Sequence, residues 1–156
     1  MAIAMFGAGC FWGVESAFRT VPGVIRTAVG YSGGRTPHPT YNDVCNGGTG
    51  HAEVVIVEYD PAKATYGRFL DLFWSIHNPT LLADRYRSAI FVFDDGQDAE
   101  ARASKAEMSK SGRFRRPIVT EIVRAAEFWM AEEEHQQHDE KHGNCRCRAV
   151  EGADDL

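Results

Sequence analysis

Cys10 is set between Gly9 and the run Phe11-Trp12-Gly13, where a short apolar stretch gives way to helical periodicity. A cysteine at a helix N-terminus faces free N–H groups and about half a positive charge, which favours the thiolate, the nucleophilic form of sulfur. Phe11 and Trp12 add apolar aromatic surface beside it. A lone cysteine more often reads as a small buried residue; two glycines and two aromatics around this one favour thiol chemistry. Attack of such a thiolate on an oxygen-bearing sulfur needs a proton for the departing oxygen and a means of clearing the oxidised cysteine.

Each need has a candidate. Glu53 follows Gly47-Gly48-Thr49-Gly50-His51-Ala52, whose pliant backbone lets a strand end approach a site. A partly buried carboxyl there would stay protonated and donate to oxygen; an exposed strand-end glutamate fits the same spacing. Tyr31, Tyr41 and Tyr86 carry hydroxyls able to donate to an oxyanion, although singly each reads as a packing residue. Cys45 reads as a small structural thiol. Cys145 and Cys147 lie in Asn144-Cys145-Arg146-Cys147-Arg148, where arginines favour thiolates, so both are candidate resolving cysteines for a sulfenic acid on Cys10.

Two other chemistries compete. His135, His138 and His142 share one helical face by spacing and lead into the two tail cysteines, a possible set of soft metal ligands. Their acidic neighbours make a solvated helix face the first reading and metal the second. His51 as base for a cysteine hydrolase is a third reading, which leaves Trp12 and the tail thiols unexplained.

These residues need a frame. The chain has 156 residues, 44% of them hydrophobic, enough for one substantial core. A net charge of −5 with scattered basic residues, apart from Arg113, Arg115 and Arg116, leaves no footprint for nucleic acid. Residues 1–9 are apolar but short and lack a basic leader, and no run approaches a membrane span, so a cytoplasmic protein is expected. In a reducing compartment, four cysteines point to redox or metal chemistry rather than structural disulfides.

Hydrophobic periodicity predicts strands over 3–6, 24–31, 52–59, 88–93 and 118–123, and helices over 12–20, 66–76, 97–111 and 127–142. A long glycine- and proline-rich loop spans 33–50. The order strand, helix, strand, strand, helix, strand predicts an α+β fold of the ferredoxin-like α/β plait type, mainly antiparallel, with C-terminal extensions. Residues 1–142 are expected to form the catalytic domain and 143–156 a mobile tail.

The same stretches resemble the peptide methionine sulfoxide reductases of the A type, which act on the S epimer. The resemblance rests on Gly9-Cys10-Phe11-Trp12-Gly13, Gly30-Tyr31-Ser32-Gly33-Gly34, Thr40-Tyr41-Asn42-Asp43-Val44-Cys45 and Gly50-His51-Ala52-Glu53-Val54-Val55. It continues through His77-Asn78-Pro79-Thr80, Tyr86-Arg87-Ser88-Ala89-Ile90-Phe91 and Ala131-Glu132-Glu133-Glu134-His135-Gln136-Gln137. It implies that Cys10 attacks, that Phe11 and Trp12 cradle the substrate methyl group, that Glu53 is the acid, and that Tyr41 and Tyr86 hydrogen-bond around the oxygen. It also implies no bound cofactor, no metal, thioredoxin as reductant and methionine sulfoxide, free or in proteins, as substrate; a monomer is expected.

Two departures stand out. Between Pro79 and Tyr86 the family carries a longer Gln-Gly-x-Asp-x-Gly-x-Gln segment, where this chain has only Thr80-Leu81-Leu82-Ala83-Asp84-Arg85. Asp84 is the candidate substitute for the acidic residue of that rim, and Asn78 stands where the family usually has Asp. The tail Cys-x-Cys is not a general family pattern, and a disulfide within it would be strained and easily reduced.

Overall fold

Side chains along a strand alternate faces, and that period assigns the two sides of the sheet in the computed structural model, which describes residues 1–81 and 85–141. Along β1 (Ala2–Ala8), Ala4, Phe6 and Ala8 enter the larger core, while Met5 joins a smaller one on the opposite face. On β3 (Ala52–Tyr59), Val55, Val57 and Tyr59 share the larger core, whereas Ala52 and Val54 belong to the smaller. Glu53, two residues before Val55, therefore falls on the same side as the larger core.

Two helices cover that side. α1 (Phe11–Phe18) buries Phe11, Val14 and Phe18, and α3 (Tyr66–Ser75) buries Phe69, Leu70, Phe73 and Trp74. The Phe6 ring lies 5.1 Å from Phe18 and 5.5 Å from Phe73, tying both helices to β1. Each such fully buried ring stabilises the fold by roughly 1.5–3 kcal/mol. Thr65 caps α3 by accepting the Arg68 N–H, and Asp94 caps α4 (Asp95–Lys110) by accepting that of Gln97. The Trp74 indole donates to Ser104 Oγ at 2.8 Å and fastens α3 to α4.

β2 (Val24–Ser32), β4 (Ser88–Val92), β5 (Glu121–Arg124) and β6 (Trp129–Met130) complete a six-stranded sheet of order β5-β4-β1-β3-β2-β6. Its pairings are antiparallel except for β4 with β5. The fold is thus mixed α+β, with the chemistry gathered where β1 ends and β3 and β4 begin.

Three expectations need correction. The loop over 33–50 contains a short helix, α2 (Tyr41–Asn46), begun by a capping box between Thr40 and Asp43. The strand expected from Ile118 starts only at Glu121, because the Val119 N–H turns aside to the Pro79 carbonyl at 2.8 Å. In place of the helix expected over 127–142, the described residues 127–141 hold β6, a 3-10 turn (Glu133–His135) and α5 (His138–Lys141). A polar run with no apolar stripe gains little by coiling. Here its side chains are used inward: the Gln136 amide accepts the Val29 N–H and donates to the Val29 carbonyl, both at 2.8 Å, pairing with β2 as a backbone would. Gln137 then turns the chain at φ 48°.

Candidate active site

Cys10 is the N-cap residue of α1, in extended backbone at φ −61° and ψ 122°. Gly9 precedes it at φ +106°, a left-handed conformation that favours glycine and swings the chain from β1 into the helix. The expected thiol at a helix start is thus present, and Cys10 is partly exposed.

Glu53 is 1% exposed and stands beside that helix start: the Phe11 N–H donates to Glu53 Oε1 at 3.2 Å. One of the free N–H groups of α1 is therefore satisfied by a carboxyl brought from β3. Register explains the meeting, because β1 runs antiparallel to β3 with Phe6 opposite Val55, so the end of β1 that leads into α1 lies beside the start of β3 that carries Glu53. Glu53 Oε2 also faces Arg85 Nε at 3.5 Å.

The two tyrosines carried over from the resemblance lie close by. Burial first, and then a hydrogen bond with the Cys45 thiol and the nearby charge of Glu53, push the Tyr41 hydroxyl above its ordinary pKa. Burial also raises Tyr86; Arg85 donates to its oxygen at 2.9 Å and opposes the rise, while Glu53 and Cys10 add to it. Both hydroxyls are therefore protonated donors at neutral pH. Tyr31 is fully buried and donates to Glu132 Oε1 at 3.1 Å, so its hydroxyl is committed to holding the site together.

Phe11 is 1% exposed and forms a floor, its ring 5.8 Å from Tyr31 and 6.3 Å from Tyr41. Trp12 is half-buried beside it and stacks on His138 with centroids 3.8 Å apart and planes 8° from parallel. The indole N–H donates to His135 Nδ1 at 2.9 Å.

His135 and His138 thus do not form a solvated helix face. His135 is buried, and burial pulls its pKa below the ordinary histidine value, against the opposing pull of Glu132 and Glu134. Among the described residues no group of three His, Cys, Asp or Glu side chains converges as metal ligands. His51 is a loop clamp rather than a base: Nδ1 accepts the Gly34 N–H at 3.0 Å and Nε2 donates to the Thr36 carbonyl at 2.7 Å. The two loop segments pass so closely that a Cβ on Gly34 would lie 2.3 Å from the His51 backbone nitrogen. Asp84, His142, Cys145 and Cys147 lie outside the described residues.

Several contributors were not anticipated. Glu132 takes the Tyr31 hydroxyl on one oxygen and the Tyr41 N–H on the other at 3.0 Å. Burial raises its pKa, but these hydrogen bonds and His135 outweigh that and hold it below the ordinary carboxylate value. Glu15, also 1% exposed, accepts from Thr27 Oγ1 at 2.6 Å, the Gln137 N–H at 2.8 Å and Gln137 Nε2 at 2.7 Å, tying α1 to the C-terminal segment. The Thr40–Asp43 capping box was a readable signal for α2; the Glu-Glu-Glu-His-Gln-Gln run bore no sign of which way its side chains point. A cleft of about 510 Å³ does not enclose Cys10, but shares Arg85 with the site and is lined further by Arg35, Thr49 and Arg87.

The chain is similar to known proteins along most of its length. A family model described as peptide methionine sulfoxide reductase matches residues 2–155. The peptide methionine sulfoxide reductase MsrA of Methanoculleus marisnigri is 58% identical over 154 residues, covering 94% of each chain. Among solved structures, the reduced form of Mxr1 from Saccharomyces cerevisiae superposes with a TM-score of 0.83 at 31% identity, covering 90% of this chain and 84% of that one. Mxr1 in complex with Trx2 gives a TM-score of 0.64 at 27% identity, over 88% and 84% of the two chains.

Proposed function

The chain belongs to the peptide methionine sulfoxide reductase family, and from that premise we propose how its residues divide the reaction. It is a peptide-methionine (S)-S-oxide reductase, recycled through a cysteine sulfenic acid and a disulfide by thioredoxin. No described helix is long and apolar enough to cross a membrane.

In our reading the Cys10 thiolate attacks the sulfoxide sulfur, whose oxygen is protonated by Glu53 with hydrogen bonds from Tyr41 and Tyr86. The substrate S–O bond then breaks, the oxygen becomes bonded to Cys10 Sγ and the bond between the two sulfurs breaks: the substrate sulfur gains two electrons and leaves as the thioether, and Cys10 loses two and is left as the sulfenic acid. Phe11 and Trp12 together seat the S-methyl group, and Asp84 contributes to the rim. Cys145 or Cys147 then displaces the sulfenic oxygen as water and forms a disulfide with Cys10, which a dithiol exchanges back to two thiols. The observation that carries this assignment is the Phe11 N–H···Glu53 bond, which ties the proton donor to the residue next to the nucleophile.

We further read the order β4-β1-β3-β2 under α1 and α3 as a ferredoxin-like plait extended by α4, β5 and β6. Residues 1–142 would be its catalytic domain and 143–156 a tail bearing the resolving thiols. A monomer suffices for this chemistry, because every residue invoked lies in one chain. The test is turnover of dabsyl-methionine S-sulfoxide with dithiothreitol. Wild type reduces the S epimer and Cys10→Ser does not; full activity in that variant contradicts the assignment.

A further inference from the structure

Arg85 lies at the centre of this site, and its chemistry has no part in the scheme above. It immediately precedes Tyr86, at the end of the segment that is short relative to the family pattern. Its guanidinium reaches three partners at once. One terminal nitrogen donates to the Cys45 carbonyl at 3.1 Å, the other to the Tyr86 hydroxyl oxygen at 2.9 Å, and Nε faces Glu53 Oε2 at 3.5 Å. Its own carbonyl accepts the Glu53 N–H at 2.7 Å, and Cζ sits 4.5 Å from the Tyr86 ring centroid. The side chain is 31% exposed, against 1% for Glu53.

A guanidinium only donates, so the bond to Tyr86 occupies a lone pair of the phenol oxygen and leaves its O–H as a donor for another acceptor. The Cys45 carbonyl anchors the same fork to α2, the helix that carries Tyr41. Glu53 meets Arg85 from two sides: its N–H donates to the Arg85 carbonyl, and its Oε2 makes an ion-pair contact with Nε.

We propose that Arg85 is a positioning residue of the reductase: its planar fork holds the Glu53 carboxyl and the Tyr86 hydroxyl in one orientation toward the departing sulfoxide oxygen. The role rests on the assignment of Glu53 and Tyr86 made above. It depends on guanidinium geometry, because a lysine ammonium is a single point that cannot span the Cys45 carbonyl, Tyr86 and Glu53 together. Its loss acts on the oriented transition state rather than on substrate capture.

The experiment measures steady-state turnover of methionine S-sulfoxide by wild type, Arg85→Ala and Arg85→Lys, with and without added guanidinium ion, alongside thermal melts. Arg85→Ala is expected to lose roughly 10- to 100-fold in kcat with KM within about threefold, and guanidinium to restore several-fold activity to this variant but none to Glu53→Gln. Arg85→Lys, the milder change should Arg85→Ala fold poorly, is expected to stay at least about fivefold below wild type in kcat. A lysine variant with wild-type kcat, or a folded Arg85→Ala within twofold of wild type or unresponsive to guanidinium, overturns the proposal. Wild-type turnover tests the reductase reading itself, whereas the ratio of variant to wild type tests Arg85, so the two failures are distinguishable.

Discussion

Replacing Glu53 with glutamine removes an acidic proton while keeping nearly the same shape. The amide oxygen can still accept the Phe11 N–H, now 3.2 Å from the carboxyl, so the anchor between β3 and α1 survives. The new NH2 faces Arg85, whose Nε lies 3.5 Å from the present oxygen, and that donor-to-donor contact costs on the order of 1–2 kcal/mol of stability. The rate should change far more. General acid catalysis contributes about 10²- to 10⁴-fold, and the Tyr41 and Tyr86 hydroxyls remain to hydrogen-bond the oxygen. We therefore expect kcat to fall about 10²- to 10³-fold, or about 3–4 kcal/mol in the barrier, with KM changed less than about threefold. Initial rates over a range of methionine S-sulfoxide concentrations, with a melt to confirm folding, measure both. A folded Glu53→Gln enzyme with kcat within about threefold of wild type refutes the proton-donor role and leaves Glu53 as an anchor for α1.

Glu15→Ala strands the Thr27 hydroxyl and two Gln137 donors in a nearly dry site; the loss should be about 3 kcal/mol, lowering the melting midpoint by roughly 6–12 °C. An unchanged midpoint would mean that water replaces the carboxylate at no cost. Burial lowers His77 to about 4, against an opposing hydrogen bond to the Phe73 carbonyl, so the folded state favours the neutral ring. Its contribution is complete above the unfolded value of about 6.5 and is lost as pH falls toward 4, a change of about 3 kcal/mol. Urea melts of wild type and His77→Gln between pH 7 and pH 4 should show a steeper loss in wild type; parallel curves would remove His77 as the cause. Cys145→Ser together with Cys147→Ser should abolish thioredoxin-supported turnover but spare the first reduction event, whereas normal recycling in the double variant would exclude the tail as resolver.

Much of this was legible in the sequence where local physics and tertiary structure agree. Gly9 before Cys10 and helical periodicity after it marked a cysteine at a helix start, and the alternation through Val55, Val57 and Tyr59 marked β3. Glu53 could be placed at a strand end, but its partner, the Phe11 N–H, is 42 residues away and leaves no local trace. The C-terminal segment is solvated only in part: Glu133, Glu134 and Glu140 are exposed, whereas His135, Gln136 and Asp139 are buried, and polarity alone does not separate the two groups. Glu132, Gln136 and Gln137 are polar because buried hydroxyls and strand-edge peptide groups need partners there, and the His135 ring covers Phe11 and Tyr41 at 5.6 and 4.3 Å. Arg85 bears no mark of its place in the sequence because its three contacts come from α2, β3 and the adjacent tyrosine, an arrangement that only the folded chain creates.

The central claim is that Cys10 takes the oxidising equivalent from the substrate. Incubating fully reduced protein with one equivalent of methionine S-sulfoxide, without reductant, and mapping its cysteines by mass spectrometry tests this most directly. The account predicts about one methionine released per chain and Cys10 recovered as a sulfenic acid or in a disulfide with a second cysteine. Methionine released while Cys10 stays a free thiol and no disulfide joins Cys145 to Cys147 would contradict it.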